Sequence, residues 1–200
     1  MEIAVYGGTF NPIHLGHLSF CCQCLDLYKF EQVLLIPTNL PPHKQAGQLA
    51  SNEDRLAMLR LAAGERMVPC DLEYRLGGRS YTVETLRALS GEYPGGRFTL
   101  LMGSDMLRTF RHWYLWEEIL SRACLLAGAR HEEEYRELLT LRETFGEHAD
   151  RIRIAPIQVT DISSTQIRET IQQGGDAGRW LPGPVWDYIR EHRLYGCGER

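Results

Sequence analysis

Six apolar runs recur along this chain with helix-forming stretches between them, and that alternation limits its fold more than any other feature. The runs cover residues 3–6, 33–37, 67–71, 98–102, 123–127 and 152–157. They are continuously apolar rather than alternating in polarity, as strands are when both faces of their sheet are covered. Helical stretches at 17–28, 52–63, 83–89, 114–120 and 132–144 separate them, and two more at 164–172 and 185–192 follow the last. Ser51, with Glu53 and Asp54 just behind it, reads as the N-terminal cap of the second helix. Repeated β-α order predicts an α/β fold: a Rossmann-like, doubly wound parallel sheet with right-handed crossovers and helices on both faces. No repeat, low-complexity tract or linker divides the 200 residues. One domain over 1–200 is expected, with the C-terminal helices from about 164 lying on the same sheet.

Composition narrows the partners. The chain is 44% hydrophobic and 24% charged, ordinary values for a globular core of this length. A formal charge of −4 offers no global attraction to nucleic acid or to an anionic membrane. No apolar run approaches the length of a membrane span. The first residues read as a strand rather than a signal peptide, so a cytoplasmic protein is expected. Oligomeric state, monomer or homodimer, stays open. Six cysteines are scattered along the chain, and only Cys21 and Cys24 stand at C-x-x-C spacing. With no second pair and an apolar helix around them, free buried thiols are expected.

The chemistry concentrates where the first strand ends. Gly7-Gly8-Thr9-Phe10-Asn11-Pro12-Ile13-His14-Leu15-Gly16-His17 runs from that strand into the first helix. The paired glycines suit a sharp turn and close approach of a ligand to backbone. The chain then brings two imidazoles, three residues apart, to the positive end of a helix, where free N–H groups favour anions. Neither the G-x-G-x-x-G of dinucleotide folds nor the P-loop is present, so histidines stand where those devices use glycine and lysine. A second cluster, Ile162-Ser163-Ser164-Thr165-Gln166-Ile167-Arg168-Glu169, follows the last strand and opens another helix. Hydroxyls at a helix start are usually caps. Three in a row, with an arginine one turn later, also suit a phosphate.

Together, G-G-T-F-N-P-I-H-L-G-H and I-S-S-T-Q-I-R resemble the nucleotidylyltransferase superfamily, whose H-x-G-H and I-S-S-T-x-[IV]-R elements clasp ATP. Further stretches are similar to bacterial nicotinate-nucleotide adenylyltransferases: Pro37 to Lys44 (P-T-N-L-P-P-H-K), Ser80 to Leu86 (S-Y-T-V-E-T-L), Gly103-Ser104-Asp105 with Trp113-Tyr114, and the ending from Leu181 to Ile189. The likeness spans nearly the whole chain, in order.

The resemblance implies adenylyl transfer from ATP to nicotinate mononucleotide, giving nicotinate adenine dinucleotide and pyrophosphate, a step of NAD biosynthesis. Mg²⁺ would ride on the ATP phosphates, with no protein-held metal site. In this reading His14, His17, Lys44 and Arg168 are catalytic, with His17 nearest the helix start. ATP would meet Gly8, Thr9, the Phe10 amide and Gly16, and Ser163, Ser164 and Thr165 would hold its leaving phosphates. Asp105, beyond Gly103, would accept from the ribose hydroxyls. Lys44 would neutralise the mononucleotide phosphate or bridge the two substrates, Tyr81, Thr82 and the Val83 amide would receive the nicotinate carboxylate, and Trp113 would stack on the pyridine ring. A helix N-terminus offering donors and no acceptor favours the acid over the amide.

Blander readings apply elsewhere. His112, His131, His148 and His192 carry no assignment, and His43 fits either a structural or a functional role. Trp116, Trp180 and Trp186 read as packing residues, and Glu132-Glu133-Glu134 as a solvated helix face. Asn11 stands where many members of that family carry Asp, and both residues are tolerated in a turn. A phosphopantetheine adenylyltransferase or cytidylyltransferase would explain the two superfamily motifs but not P-P-H-K, S-Y-T-V-E-T-L or Trp113. A nucleotide-sensing module would tolerate loss of His17 or Lys44. A zinc hydrolase would need a third ligand and a nearby Glu.

Overall fold

The computed structural model describes residues 1–40, 49–158 and 162–198. Six parallel strands form one sheet: β1 (Glu2–Gly8), β2 (Gln32–Pro37), β3 (Met67–Pro69), β4 (Arg97–Gly103), β5 (Ala123–Ala129) and β6 (Ile152–Pro156). Their order is β3-β2-β1-β4-β5-β6, which is the doubly wound arrangement with its reversal between β1 and β4.

Every strand but the short edge strand β3 divides its apolar residues between two cores. Ile3, Val5, Leu34, Ile36, Leu100 and Met102 face one side, whereas Ala4, Val33, Leu35 and Leu101 face the other. This explains the unbroken apolar runs. The first side is covered by α3 (Leu72–Leu76), α4 (Thr82–Glu92), α5 (Ser104–Thr109), α6 (Trp116–Arg122) and α7 (Glu132–Glu143), through Leu72, Leu86, Leu107, Ile119 and Leu138 among others. The second is covered by α1 (Leu15–Leu27), α2 (Asn52–Ala62), α8 (Ser164–Gln172) and α9 (Gly183–Glu191), through Cys24, Met58, Ile167 and Val185.

Several boundaries and assignments differ from the sequence reading. The third strand stops at Pro69, and Asp71 instead opens α3; α5 was also unforeseen. Ser51 does cap α2, its hydroxyl accepting the Asp54 N–H at 3.0 Å. Glu134 is not on a solvated face. It is buried, and its carboxylate accepts the Arg130 N–H at 2.6 Å, while His131 caps the same helix. All six cysteines are free, but only Cys21 and Cys24 are buried and Cys22 is exposed. Burial pushes the Cys24 thiol up to about 12, so it is inert as a nucleophile.

The strand register opens the crevice. β1 and β4 pair only from Glu2–Arg97 to Val5–Leu100. Beyond that point β1 stays paired with β2 as far as Gly8, and β4 with β5 as far as Gly103. The sheet therefore parts between its two central strands at the carboxyl end, where the first motif-bearing turn emerges; the second follows the edge strand β6.

Candidate active site

The turn after β1 is built differently from the sequence expectation. Gly7 and Gly8 lie inside the strand, and the chain reverses instead at Phe10, whose φ is +45°. That conformation costs a non-glycine residue about 1–2 kcal/mol. Burial of the ring offsets it: Phe10 is 2% exposed and packs edge-on against Tyr6 at 5.5 Å and His17 at 5.2 Å. The same ring explains Gly8, since a Cβ there would lie 3.1 Å from Phe10 Cζ. A Cβ at Gly7 would meet nothing within 4 Å, so protein packing gives no reason for that glycine.

His14 and His17 form a reciprocal cap on α1. His14 is the N-cap, its Nδ1 accepting the His17 N–H at 3.4 Å, and His17 Nδ1 accepts the His14 N–H at 3.3 Å. This moves the helix start two residues earlier than expected and makes His14, not His17, the residue at its tip. Gly16 sits in the first turn. With each Nδ1 committed to a backbone N–H, a neutral ring carries its proton on Nε2 and offers it as a donor. The rings stack at 3.6 Å. Burial holds His14 down to about 4, and burial plus its neighbour His14 holds His17 well below its ordinary value. The pair is thus two neutral, pre-aimed N–H donors at a helix N-terminus.

The second motif reaches this turn from more than 150 residues away. Arg168 Nη1 donates to the Asn11 carbonyl at 2.8 Å, and the Ser164 hydroxyl donates to the Pro12 carbonyl at 3.0 Å. Arg168 Nη2 also donates to Thr165 Oγ1 at 3.3 Å, and Ser163 caps α8 by accepting the Gln166 N–H at 3.1 Å. Ser163 and Thr165 are exposed beside this junction.

Two further residues organise the turn without having been foreseen. Asn11 is buried, and its Oδ1 accepts from the Tyr195 hydroxyl at 2.9 Å and from the Ala50 N–H at 3.0 Å. The Asn11 side-chain oxygen thus ties the turn to the tail and to the start of α2. Tyr195 gave no signal beyond being an aromatic in a polar tail.

Across the crevice, Gly103 ends β4 and Asp105 lies in the first turn of α5. Asp105 is exposed and 3.6 Å from Arg130, at the end of β5. A pair this exposed contributes little to stability and leaves the carboxylate free for a ligand. Arg130 adds a cation to the ligand edge of the sheet that no motif announced. Farther along, the N-cap of α4 is Tyr81, whose side chain makes no capping bond, so among the described residues the first amides, at Thr82 and Val83, have no side-chain cap. Tyr81 stacks at a tilt on Tyr114, ring centroids 5.0 Å apart, which brings this helix start beside the segment carrying Trp113. Trp113 is half-buried against Phe110 at 5.3 Å. Lys44 and His43 lie outside the described residues.

The chain is similar to known proteins over nearly its whole length. The family model described as cytidylyltransferase-like matches residues 5–170, which gives the class that fold and site define. A Synechococcus protein (strain JA-2-3B'a(2-13)) named a probable nicotinate-nucleotide adenylyltransferase is 40% identical over 97% of this chain and 96% of its own length. One of the same name from Symbiobacterium thermophilum is 37% identical over 99% and 97%. The chain belongs to the nicotinate-nucleotide adenylyltransferase family. The Plasmodium falciparum nicotinic acid mononucleotide adenylyltransferase complexed with NaAD shares the fold, with a TM-score of 0.79 at 18% identity over 100% of this chain and 99% of that one.

Proposed function

We propose that this protein transfers the adenylyl group of MgATP to nicotinate mononucleotide, yielding nicotinate adenine dinucleotide and pyrophosphate for NAD biosynthesis in the cytoplasm. The observation that carries the reading is the junction of Arg168 and Ser164 with the Asn11–Pro12 carbonyls, which ties the hydroxyl-rich start of α8 to the turn that leads into the two histidines. The full-length relatives carry the name of this activity.

In the reaction a phosphate oxygen of the mononucleotide attacks the α-phosphorus in line. A new P–O bond forms as the bond to the bridging β-phosphate oxygen breaks, and pyrophosphate leaves with that electron pair. The attacking oxygen is already anionic, so no general base is required. What the protein must supply is alignment of two polyanions and stabilisation of charge on the transferring group. His14 and His17 supply Nε2–H donors for that charge, with Thr9, the Phe10 amide, Gly8 and Gly16 around the α-phosphate. Ser163, Thr165 and Arg168 hold the departing phosphates, while the Ser164 hydroxyl, donated to the Pro12 carbonyl, holds α8 against the turn. Mg²⁺ enters as part of the substrate, held by phosphate oxygens and water. Asp105 takes the ribose, and Lys44 takes the mononucleotide phosphate. Tyr81, Thr82 and the Val83 amide take the nicotinate carboxylate, with Trp113 against the pyridine ring.

Pyrophosphate release from MgATP, measured with nicotinate mononucleotide, nicotinamide mononucleotide and phosphopantetheine in parallel, tests the reading. Turnover is expected with the first, with a kcat/KM well above that for the amide, and none with the third. His17→Ala is expected to remain folded and to lose about two orders of magnitude in kcat, the usual loss for a transition-state donor. Equal kcat/KM for acid and amide would remove Thr82 and Val83 from the carboxylate site, and unimpaired turnover by His17→Ala would remove His17 from catalysis.

A further inference from the structure

Arg55 is 0% exposed on the inner face of α2, beside Met58 and Leu59. Its hydrogen bonds among the described residues all go to neutral oxygens. Nη1 donates to the carbonyls of Thr9 at 2.9 Å and Thr38 at 2.7 Å, Nε donates to that of Ala50 at 3.2 Å, and Nη2 donates to the Asn52 side-chain oxygen. The Tyr74 ring lies 5.3 Å from the guanidinium. A leucine or methionine would fill this position without desolvating a charge, so stability alone explains the arginine poorly.

The bonds continue in one direction. Asn52 Nδ2 donates to Asn39 Oδ1 at 2.7 Å, and Asn39 Nδ2 donates to the Gly78 carbonyl at 3.0 Å. The Asn39 backbone N–H donates to the Ser80 hydroxyl at 2.8 Å. Each amide receives with its oxygen and donates with its nitrogen, an orientation set from the cation outward. The path leads from Thr9, at the imidazole-bearing turn, to Ser80, which immediately precedes the Tyr81-Thr82-Val83 start of α4.

We propose that Arg55 is a positioning residue that fixes the separation of the two substrate sites, acting through Asn52 and Asn39. The inference rests on the substrate reading given above. In-line transfer between two separately held polyanions depends on their spacing, and a displacement of about 1 Å costs about a hundredfold in rate. The planar fork serves several carbonyls at once, which a lysine ammonium on a flexible stem does not reproduce.

Steady-state kinetics with each substrate varied against the other, on wild type, Arg55→Lys, Asn52→Ala and the double variant, tests this, with thermal melting alongside. Asn52→Ala is expected to melt within a few degrees of wild type. Its KM for nicotinate mononucleotide is expected to rise about tenfold while that for ATP stays within about twofold, because Arg55 still holds Thr9 and Thr38. Arg55→Lys is expected to lose about a hundredfold in kcat. The double variant should be no worse than Arg55→Lys. A folded Asn52→Ala with both KM values unchanged overturns the proposal, as do multiplying losses in the double variant. If Arg55→Lys fails to fold, Asn52→Ala decides alone. A wild type that does not turn over this substrate pair overturns the substrate reading and the inference with it, whereas an active wild type with an unaffected Asn52→Ala sinks the inference only.

Discussion

Burial keeps the two imidazoles of this site neutral well below the ordinary histidine range, and that has a cost at low pH. Burial lowers His14 to about 4 in the folded protein against about 6.5 in the unfolded chain. Between those values the unfolded state binds more protons, so stability is full above about pH 6.5 and declines as pH falls toward 4. For His14 the loss is about 3 kcal/mol over that window, and His17, displaced in the same direction, adds to it. His14→Asn keeps an acceptor for the His17 N–H and removes the titration. Urea unfolding of this variant is expected to show a slope between pH 4 and 6.5 shallower by about that amount, and an unchanged slope would refute the assignment. The imidazoles themselves were legible, because two histidines flank a glycine next to a strand. Their exchange of caps was not, since histidine is an uncommon cap and Ser, Thr, Asp and Asn are absent from that helix start. Arg55 was legible in principle: it shares a helical stripe with Met58 and Leu59, yet an arginine is ordinarily assigned to the solvent side.

Among the elements, the strand-to-helix turn after β1 separates two reasons for keeping a glycine. Gly8 is held by the protein, because a Cβ would press on a buried Phe10 ring whose backbone is already in the left-handed region. Gly8→Ala is expected to cost about 1–3 kcal/mol, read as a lowered melting temperature. Gly7→Ala meets open space and is expected to keep stability within about 0.5 kcal/mol. If the polyphosphate lies against that backbone, its KM for ATP rises; an unaffected KM would show that the ligand passes elsewhere. All six strands were visible in the sequence as apolar runs, which double-sided burial leaves unbroken in every strand but β3, an edge strand whose Val68 is exposed. The helices α3 and α5 were not, as five or six residues span too little of a 3.6-residue period to reveal a face. Asp105 was placed correctly at a strand end, but the short helix that carries it was invisible for that reason.

For the whole molecule, alternation announced a doubly wound sheet but not the strand order, which depends on contacts between distant segments. The meeting of residues near 11 and 168 followed from chemistry shared by two motifs; the reach of Tyr195 from the tail back to Asn11 had no such clue. Because β1 and β4 separate after Val5 and Leu100, backbone groups in 6–8 and 101–103 that are not taken up by β2 or β5 border the gap. Their amides are expected to exchange with solvent deuterium quickly in the free protein and markedly more slowly when a non-hydrolysable ATP analogue is bound, while the central residues 3–5 change little. A nucleotide would then act as a wedge that completes the sheet, replacing the missing half of a strand ladder with its own polar edge.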